Sequence, residues 1–152
     1  MKKEASKISA ELIVMPRISN EEITALIRNA TALIAIAHGE GFGLTPMEAI
    51  LVGTPALVVD EAGFTHTITD DENGKRLPWP NNSENLNSWK DAIIQSKINE
   101  NRIRWSENGR KRIEERWTPQ FQSESLARAM KDLGVDIILD NNINILPGLD
   151  PA

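Results

Sequence analysis

Cysteine is absent from the 152 residues, which removes any disulfide frame and any thiolate metal site. No apolar run approaches the roughly 18 residues needed to span a bilayer, and no secretory signal is visible at the N-terminus, so a cytoplasmic location is the default expectation. An excess of positive charge is missing as well. The chain carries 17 Lys and Arg against 22 Asp and Glu, for a net charge of −5, and a nucleic-acid partner therefore lacks electrostatic support. Arg102, Arg104, Arg110, Lys111, Arg112 and Arg116 make one late segment locally basic, but Glu107, Glu114 and Glu115 are interleaved with them. The segment reads as a solvated helix face of mixed sign before it reads as a patch for an anionic lipid or acceptor. Internal repeats and low-complexity tracts are also lacking. What remains is an ordinary globular composition, 40% hydrophobic and 26% charged, in a length suited to about one domain with a real core.

The apolar pattern alternates between strand-like and helix-like segments. Leu12-Ile-Val-Met15 reads as a short buried strand stopped by Pro16, which has no N–H for a sheet ladder. Ser19 and Glu22 have the spacing of a capping box, and Ile23, Leu26, Ile27 and Ala30 follow at helical intervals. Ala32 to Ala37 is unbroken apolar sequence, as expected of a strand covered on both faces. A glycine-rich turn then leads into a helix from about Thr45 to Val52, with Pro46 in its first turn and Gly53 just past its end, and Pro55 to Val59 is a third strand. This alternation predicts an α/β fold, a Rossmann-like parallel sheet flanked by helices and followed by a helical C-terminal segment. Ligands on such sheets bind beyond the C-terminal ends of the strands, and His38 to Leu44 lies at such an end.

After Asp60 the chain becomes polar and loop-like, with Asn73-Gly74 a turn signal before a short strand from Lys75 to Leu77 and the Pro78-Trp-Pro80 punctuation. Three helices follow. Ser83 caps one reaching Ser96; Ile98 to Trp117 forms a second, with Gly109 as the place where it could be interrupted; Thr118 and Pro119 start a third that reaches about Leu133. Trp89, Ile93, Ile103, Ile113, Trp117, Leu126 and Met130 are read as core residues. Asn81-Asn82-Ser83 fits a glycosylation sequon, but without a signal peptide it is read as a helix-capping loop. From residue 133 to Ala152 no clear period is present, and the tail is either disordered or the start of another element.

The most informative stretch is His38-Gly-Glu-Gly-Phe-Gly-Leu-Thr-Pro-Met-Glu48, in which two carboxylates separated by seven residues flank a glycine-rich turn that opens a helix. Backbone N–H groups at a helix N-terminus attract phosphate, and fixed carboxylates accept hydrogen bonds from vicinal hydroxyls. The arrangement suits a sugar attached to a nucleotide. Each residue also has a plainer reading. Thr45 and Glu48 have capping-box spacing, so Glu48 could bond the backbone at the helix start; Glu40 could be a solvated loop acid, and Gly41 and Gly43 ordinary turn formers. His38 has no second histidine or acid at a fixed spacing, and reads as a loop residue ahead of a general base or ligand. Gly39-x-Gly41 after a strand, with Asp60 at the end of the next, imitates a dinucleotide-binding fingerprint, but position 44 is leucine where its third glycine belongs.

Taken together, Glu40-Gly-Phe-Gly-Leu, Glu48-Ala, Gly53-Thr-Pro55, Gly63 and Asn73-Gly74 resemble the C-terminal donor-binding domain of retaining family-4 (group 1) glycosyltransferases of the GT-B fold. The resemblance is close over residues 12–80 and weaker to about residue 131, where Arg116-Trp-Thr118 resembles the family's closing segment. It implies a donor-binding domain over residues 1–132 and transfer of a hexosyl group from a nucleotide diphosphate sugar with retention. It implies no cofactor and no catalytic metal, in keeping with the lack of an Asp-x-Asp pair near the turn. In the family's pattern Glu40 is the catalytic candidate, contacting donor hydroxyls near the anomeric centre and steadying positive charge developing on the ring. Glu48 would grip the ribose hydroxyls, and backbone amides around Gly41, Phe42, Gly43, Leu44 and Thr45 would meet sugar and diphosphate. Arg17 and Ile18 correspond to the loop that flanks the nucleobase. His66 stands where the family often places a polar residue near the donor, although Thr-His-Thr is not distinctive.

The implied partners are the nucleotide-sugar donor and a glycan, lipid or small-molecule acceptor, with no nucleic acid and no integral membrane segment; peripheral attachment to a membrane is compatible with this. The family places two further strands, a diphosphate-holding arginine and lysine, and an acceptor-binding domain before the strand at Leu12. The two strands lie between those at Leu12 and Ala32 in the family's sheet, so an exposed edge is expected here. Either the first strand slides over to pair with the second, or another chain completes the GT-B fold, or the sequence is a truncated or split piece. Two competing readings remain: a non-catalytic nucleotide-sugar-binding partner subunit, and a dinucleotide-binding oxidoreductase domain.

Overall fold

Capping chemistry sets the helix boundaries in the computed structural model of the chain, which describes residues 11–134 other than position 16. The stop expected at Pro16 and most of the tail expected beyond residue 133 lie outside the described residues. Helix α1 (Asn20–Asn29) opens on the capping box expected of Ser19 and Glu22: Glu22 N–H donates to Ser19 Oγ at 3.2 Å, and Ser19 N–H donates to Glu22 Oε2 at 2.8 Å. Strand β1 (Leu33–Ala35) is followed by the glycine-rich turn and α2 (Leu44–Leu51). At the end of α2, Thr54 N–H reaches Ala49 C=O at 2.8 Å and Gly53 N–H reaches Ile50 C=O at 3.0 Å, with Gly53 at φ 90°. That is a Schellman closure, for which glycine is the natural residue. Strand β2 (Ala56–Val59), the one-turn helix α3 (Phe64–Thr67) and strand β3 (Lys75–Leu77) complete the α/β part.

The three strands are parallel in the order β1-β2-β3, with Leu33 beside Ala56 and Leu57 beside Lys75. All four β2 residues are buried, as an apolar strand in the middle of a parallel sheet should be, whereas the run Ala32 to Ala37, expected to be covered on both faces, leaves Ile34 and Ile36 about half exposed because β1 is at the edge of the described sheet. The core closes around them with Ala49 and Ile50 of α2, Phe64 and Ile68 at and just after α3, Leu77, and Trp89 and Ala92 of α4 (Ser83–Ser96). Asn82 caps α4, accepting from Asn85 N–H at 2.8 Å, one residue before the Ser83 expected from sequence.

Several sequence expectations need correction. Leu12 to Met15 form no strand and are all exposed, Ile13 at 64%. A strand exists only through a ladder partner, and the β1 edge beside which this segment would have to lie is unpaired among the described residues. The stretch after Asp60 is not all loop. Phe64, Thr67 and Ile68 are buried at i, i+3 and i+4, an apolar turn too short to register as a period. Helix α5 (Asn99–Arg116) is not interrupted at Gly109. Its inward face is Trp105, Ser106 and Gly109, leaving Ile103 half exposed, and a Cβ at position 109 would collide with Ile50 Cγ2. Gly109 is there for close packing, and Trp105, fully buried, is the core residue that the sequence reading omitted.

The chain separates after Arg110 into two compact units. The first holds the sheet, α1 to α4 and α5 as far as Arg110. In the second, Thr118 caps α6 (Pro119–Asp132) by accepting from Phe121 N–H at 3.2 Å, and Leu126, expected in a core, is 60% exposed. No helix of the described residues is long and apolar enough to cross a membrane.

Candidate functional site

The C-terminal ends of β1, β2 and β3 present one after another the turn His38–Gly43, the loop Asp60–Gly63 and the segment Pro78–Pro80. The turn is tied to its neighbours by backbone. Gly63 N–H donates to Glu40 C=O at 2.8 Å, and a Cβ on Gly63 would stand 2.5 Å from the backbone of Gly41 and Phe42. Gly43, at φ 89°, sits over α3, where a Cβ would come within 2.9 Å of Thr67 Oγ1 and 3.1 Å of Phe64 Cδ1. Gly63 therefore permits close approach of two backbone segments, and Gly43 lets the turn rest directly on the Thr67 and Phe64 side chains. The unnoticed helix α3 is the floor on which the turn rests. Asn73, fully buried, braces the far side of that floor: its Oδ1 accepts from Thr69 N–H at 2.7 Å and its Nδ2 donates to Thr67 C=O at 2.9 Å.

Glu40 is half-buried and its carboxylate folds back over the turn, Oε1 accepting from Gly43 N–H at 2.9 Å and Phe42 N–H at 3.3 Å. It is not a freely solvated acid. The capping role considered for Glu48 is not observed, because Gly43 is the N-cap of α2 and Thr45 already lies inside the helix, with no side-chain bond to the helix start. Glu48 is instead exposed and lines a groove of about 400 Å³ between α2 and α1, with Asn20, Ile23, Thr24, Ile27, Leu51 and Val52. Leu44 and Thr45 are exposed on the first turn of α2, where helical geometry leaves their N–H groups without an intrahelical acceptor. Ile18 lines a separate cavity of about 480 Å³ with Met15, Glu22, Ala25, Leu26 and Asn29, none of them in the turn. Arg17 is exposed beside it in sequence. Thus Glu40, Gly41, Phe42 and Gly43 are gathered with Gly63, Glu48 faces α1, and Ile18 belongs to another surface.

His38 has what sequence spacing could not show. Its Nδ1 lies 3.1 and 3.2 Å from the two carboxylate oxygens of Glu61, and its ring stacks on the Trp79 indole with centroids 3.7 Å apart and planes at 20°. Trp79 Nε1 donates to Glu61 Oε2 at 2.6 Å. These hydrogen bonds, that from His38 first and that from Trp79 second, hold the Glu61 carboxyl below its ordinary range. The partners are 23 and 41 residues from His38 (61 − 38 and 79 − 38), so no local motif could have found them. His66 is exposed on α3.

A three-stranded parallel sheet flanked by helices, with a glycine-rich turn at the C-terminal end of its first strand, is the architecture of a GT-B C-terminal domain. Comparison with known proteins agrees. The model of the family described as glycosyl transferases group 1 matches residues 2–112, and the chain belongs to that family. It is 28% identical over 127 residues to the alpha-1,3/1,6-mannosyltransferase ALG2 of Candida glabrata, covering 80% of this chain and 28% of that protein. It is 32% identical over 90 residues to the lipopolysaccharide glucosyltransferase WaaG of Escherichia coli, covering 59% of this chain and 23% of WaaG. The chain thus spans about a quarter of the length of these curated relatives. Among solved structures, the C-terminal domain of the glycosyl transferase group 1 family protein LpcC from Francisella tularensis superposes with a TM-score of 0.53 at 23% identity, over 70% of this chain and 53% of that one. That likeness carries the fold.

Proposed function

We propose that the chain is the donor-binding part of a retaining glycosyltransferase, which transfers a hexosyl group from a nucleotide diphosphate sugar to a glycan, lipid or small-molecule acceptor without a metal or other cofactor. The observation that carries this reading is the Glu40–Thr45 turn. It delivers a carboxylate and a run of backbone amides to the ligand-binding edge of the sheet and feeds directly into the N-terminus of α2. In this reading Glu40 meets the sugar near its anomeric carbon, where an anion favours the positive charge that develops as the glycosidic bond to phosphate lengthens. The amides of Phe42 and Gly43, satisfied by Glu40 in the free chain, turn to donor oxygens, releasing the carboxylate toward the sugar hydroxyls. The α2 N-terminus adds about 0.3–1 kcal/mol of favourable field for the diphosphate. Glu48, exposed along α2, takes the ribose hydroxyls, and Arg17 and Ile18 flank the base once their segment moves over from the separate cavity that Ile18 lines. The reading includes a donor domain over residues 1–132 and a cytoplasmic location, with peripheral membrane attachment where the acceptor is a lipid.

A second reading, a non-catalytic nucleotide-sugar-binding subunit completed by another chain, is favoured by the β1 edge, which is unpaired among the described residues. Ile34 and Ile36 are 48% and 46% exposed there, and Leu12 to Met15 add further exposed apolar surface. Transfer activity that appears only on adding a partner chain separates it from the first. Family membership leaves the oxidoreductase reading without support.

The donor site is tested by ligand-observed NMR with UDP, GDP, ADP and their common sugar conjugates, on the wild type and on Glu48→Ala. Glu48 is exposed, so the variant folds normally. Loss of hydrogen bonds to a charged group, about 1.5–3 kcal/mol, lowers nucleotide affinity by roughly 10- to 100-fold. Equal affinity in both proteins removes Glu48 from the site.

A further inference from the structure

His38, Glu61 and Trp79 follow the C-terminal ends of β1, β2 and β3 in turn, so three strands contribute one side chain each to a single cluster on the ligand-binding edge. A carboxylate only accepts hydrogen bonds. Neutral His38 must therefore carry its proton on Nδ1, toward Glu61, which leaves Nε2 as a bare acceptor. The His38 side chain is 76% exposed although its ring is pinned at the edge by Glu61 and along one face by Trp79. Joining the β2 and β3 ends needs only the bond from Trp79 to Glu61. The added imidazole is ordered at an entropic cost with little burial in return, and its product is a fixed acceptor nitrogen two residues before Glu40. Phosphate offers no proton to such a nitrogen, and the carboxylates of Glu40 and Glu61 make this end of the turn unwelcoming to an anion. A hydroxyl is the group that fits.

We propose that His38 is a carbohydrate-contacting residue whose Nε2 accepts a hydrogen bond from a sugar hydroxyl, with Glu61 and Trp79 as the residues that position its ring. The assignment rests on the donor-domain reading above, in which the nucleotide lies toward Glu48 and the sugar toward Glu40. The hydroxyl belongs either to the transferred sugar or to the acceptor sugar. Those two sources are separable.

The chain contains two histidines, so the imidazole nitrogens of the ¹⁵N-labelled protein are assigned by one substitution, His66→Gln. At a pH where the rings are neutral, the free chain is expected to show His38 protonated on Nδ1 alone. GDP-mannose or UDP-glucose is then added in one arm, GDP or UDP alone in a second, and GDP or UDP with methyl α-mannopyranoside or methyl α-glucopyranoside in a third. A change at His38 Nε2 in the first arm but not the second assigns the transferred sugar. A change in the third arm but not the second assigns the acceptor sugar. His38→Ala and Glu61→Gln should each weaken the sugar-dependent affinity about tenfold while leaving nucleotide affinity alone, a split that a merely structural role would not produce. A free-chain His38 protonated on Nε2, or an Nε2 signal unmoved in all arms while nucleotide sugar demonstrably binds, overturns this inference alone. Failure of the folded wild type to bind any of the ligands overturns it together with the donor-site reading.

Discussion

Replacing Gly63 by alanine adds one methyl group where the loop after β2 meets the turn that carries Glu40. The backbone at Gly63, φ −57° and ψ −26°, is one that alanine adopts without strain, so chain entropy alone would make the change stabilising by about 0.4–1 kcal/mol. The packing says the opposite. The new Cβ would stand 2.5 Å from Gly41 C and Phe42 N and 2.7 Å from Gly41 O. All three are backbone atoms, which no change of rotamer can move aside. Reaching ordinary contact at 3.4 Å requires the two segments to part by about 0.9 Å (3.4 − 2.5), which also stretches the 2.8 Å bond from Gly63 N–H to Glu40 C=O. Overpacking of this kind costs about 1–3 kcal/mol, leaving a net loss of about 1.3 kcal/mol at the middle of the two ranges once the entropy gain is subtracted. For a chain of this size that lowers Tm by roughly 2–8 °C. Since the displaced atoms include the Phe42 amide, affinity for nucleotide sugars should fall about tenfold or more. Urea unfolding followed by tryptophan fluorescence gives the first number and a ligand-observed NMR titration the second. A Gly63→Ala protein as stable as the wild type, with unchanged affinity, would refute the close approach on which the site's geometry rests.

Two further outcomes are expected. Glu61 is held below its ordinary value of 4.5, chiefly by the hydrogen bond from His38 and then by that from Trp79. The unfolded chain therefore binds more protons just below that value, so the cluster's contribution to stability is complete above it and is lost as pH falls through the folded-state value. Glu61→Gln should flatten the rise of Tm with pH in the range at and just below 4.5, and identical slopes in the two proteins would contradict the assignment. At Gly109, alanine gains about 1 kcal/mol of helix propensity but collides with Ile50 Cγ2. Gly109→Ala should be destabilising in the wild type and neutral or stabilising in an Ile50→Ala background; additive effects in a double-mutant cycle would show that the helices do not meet there.

The features legible along the chain are local or periodic. The Ser19–Glu22 capping box, the Gly53 closure of α2, the unbroken apolar run of β2 and the two-carboxylate turn all depend on residues within a few positions of one another, and each was legible before any coordinates. Which surfaces find partners depends on contacts between segments far apart in the chain. Leu12 to Met15 has the composition of a strand but pairs with none of the described strands, and composition cannot supply a partner. Gly109 looks like a helix breaker until Ile50 is seen beside it, and Ile103 looks like core until the register of α5 turns Trp105 inward. At the candidate site the division is the same. Glu40 was found from its neighbours in sequence, whereas its hold on the Phe42 and Gly43 amides, and the joining of His38 to Glu61 and Trp79, arise because three parallel strands end side by side. Proximity of that kind is a property of the sheet, and no spacing along the chain encodes it.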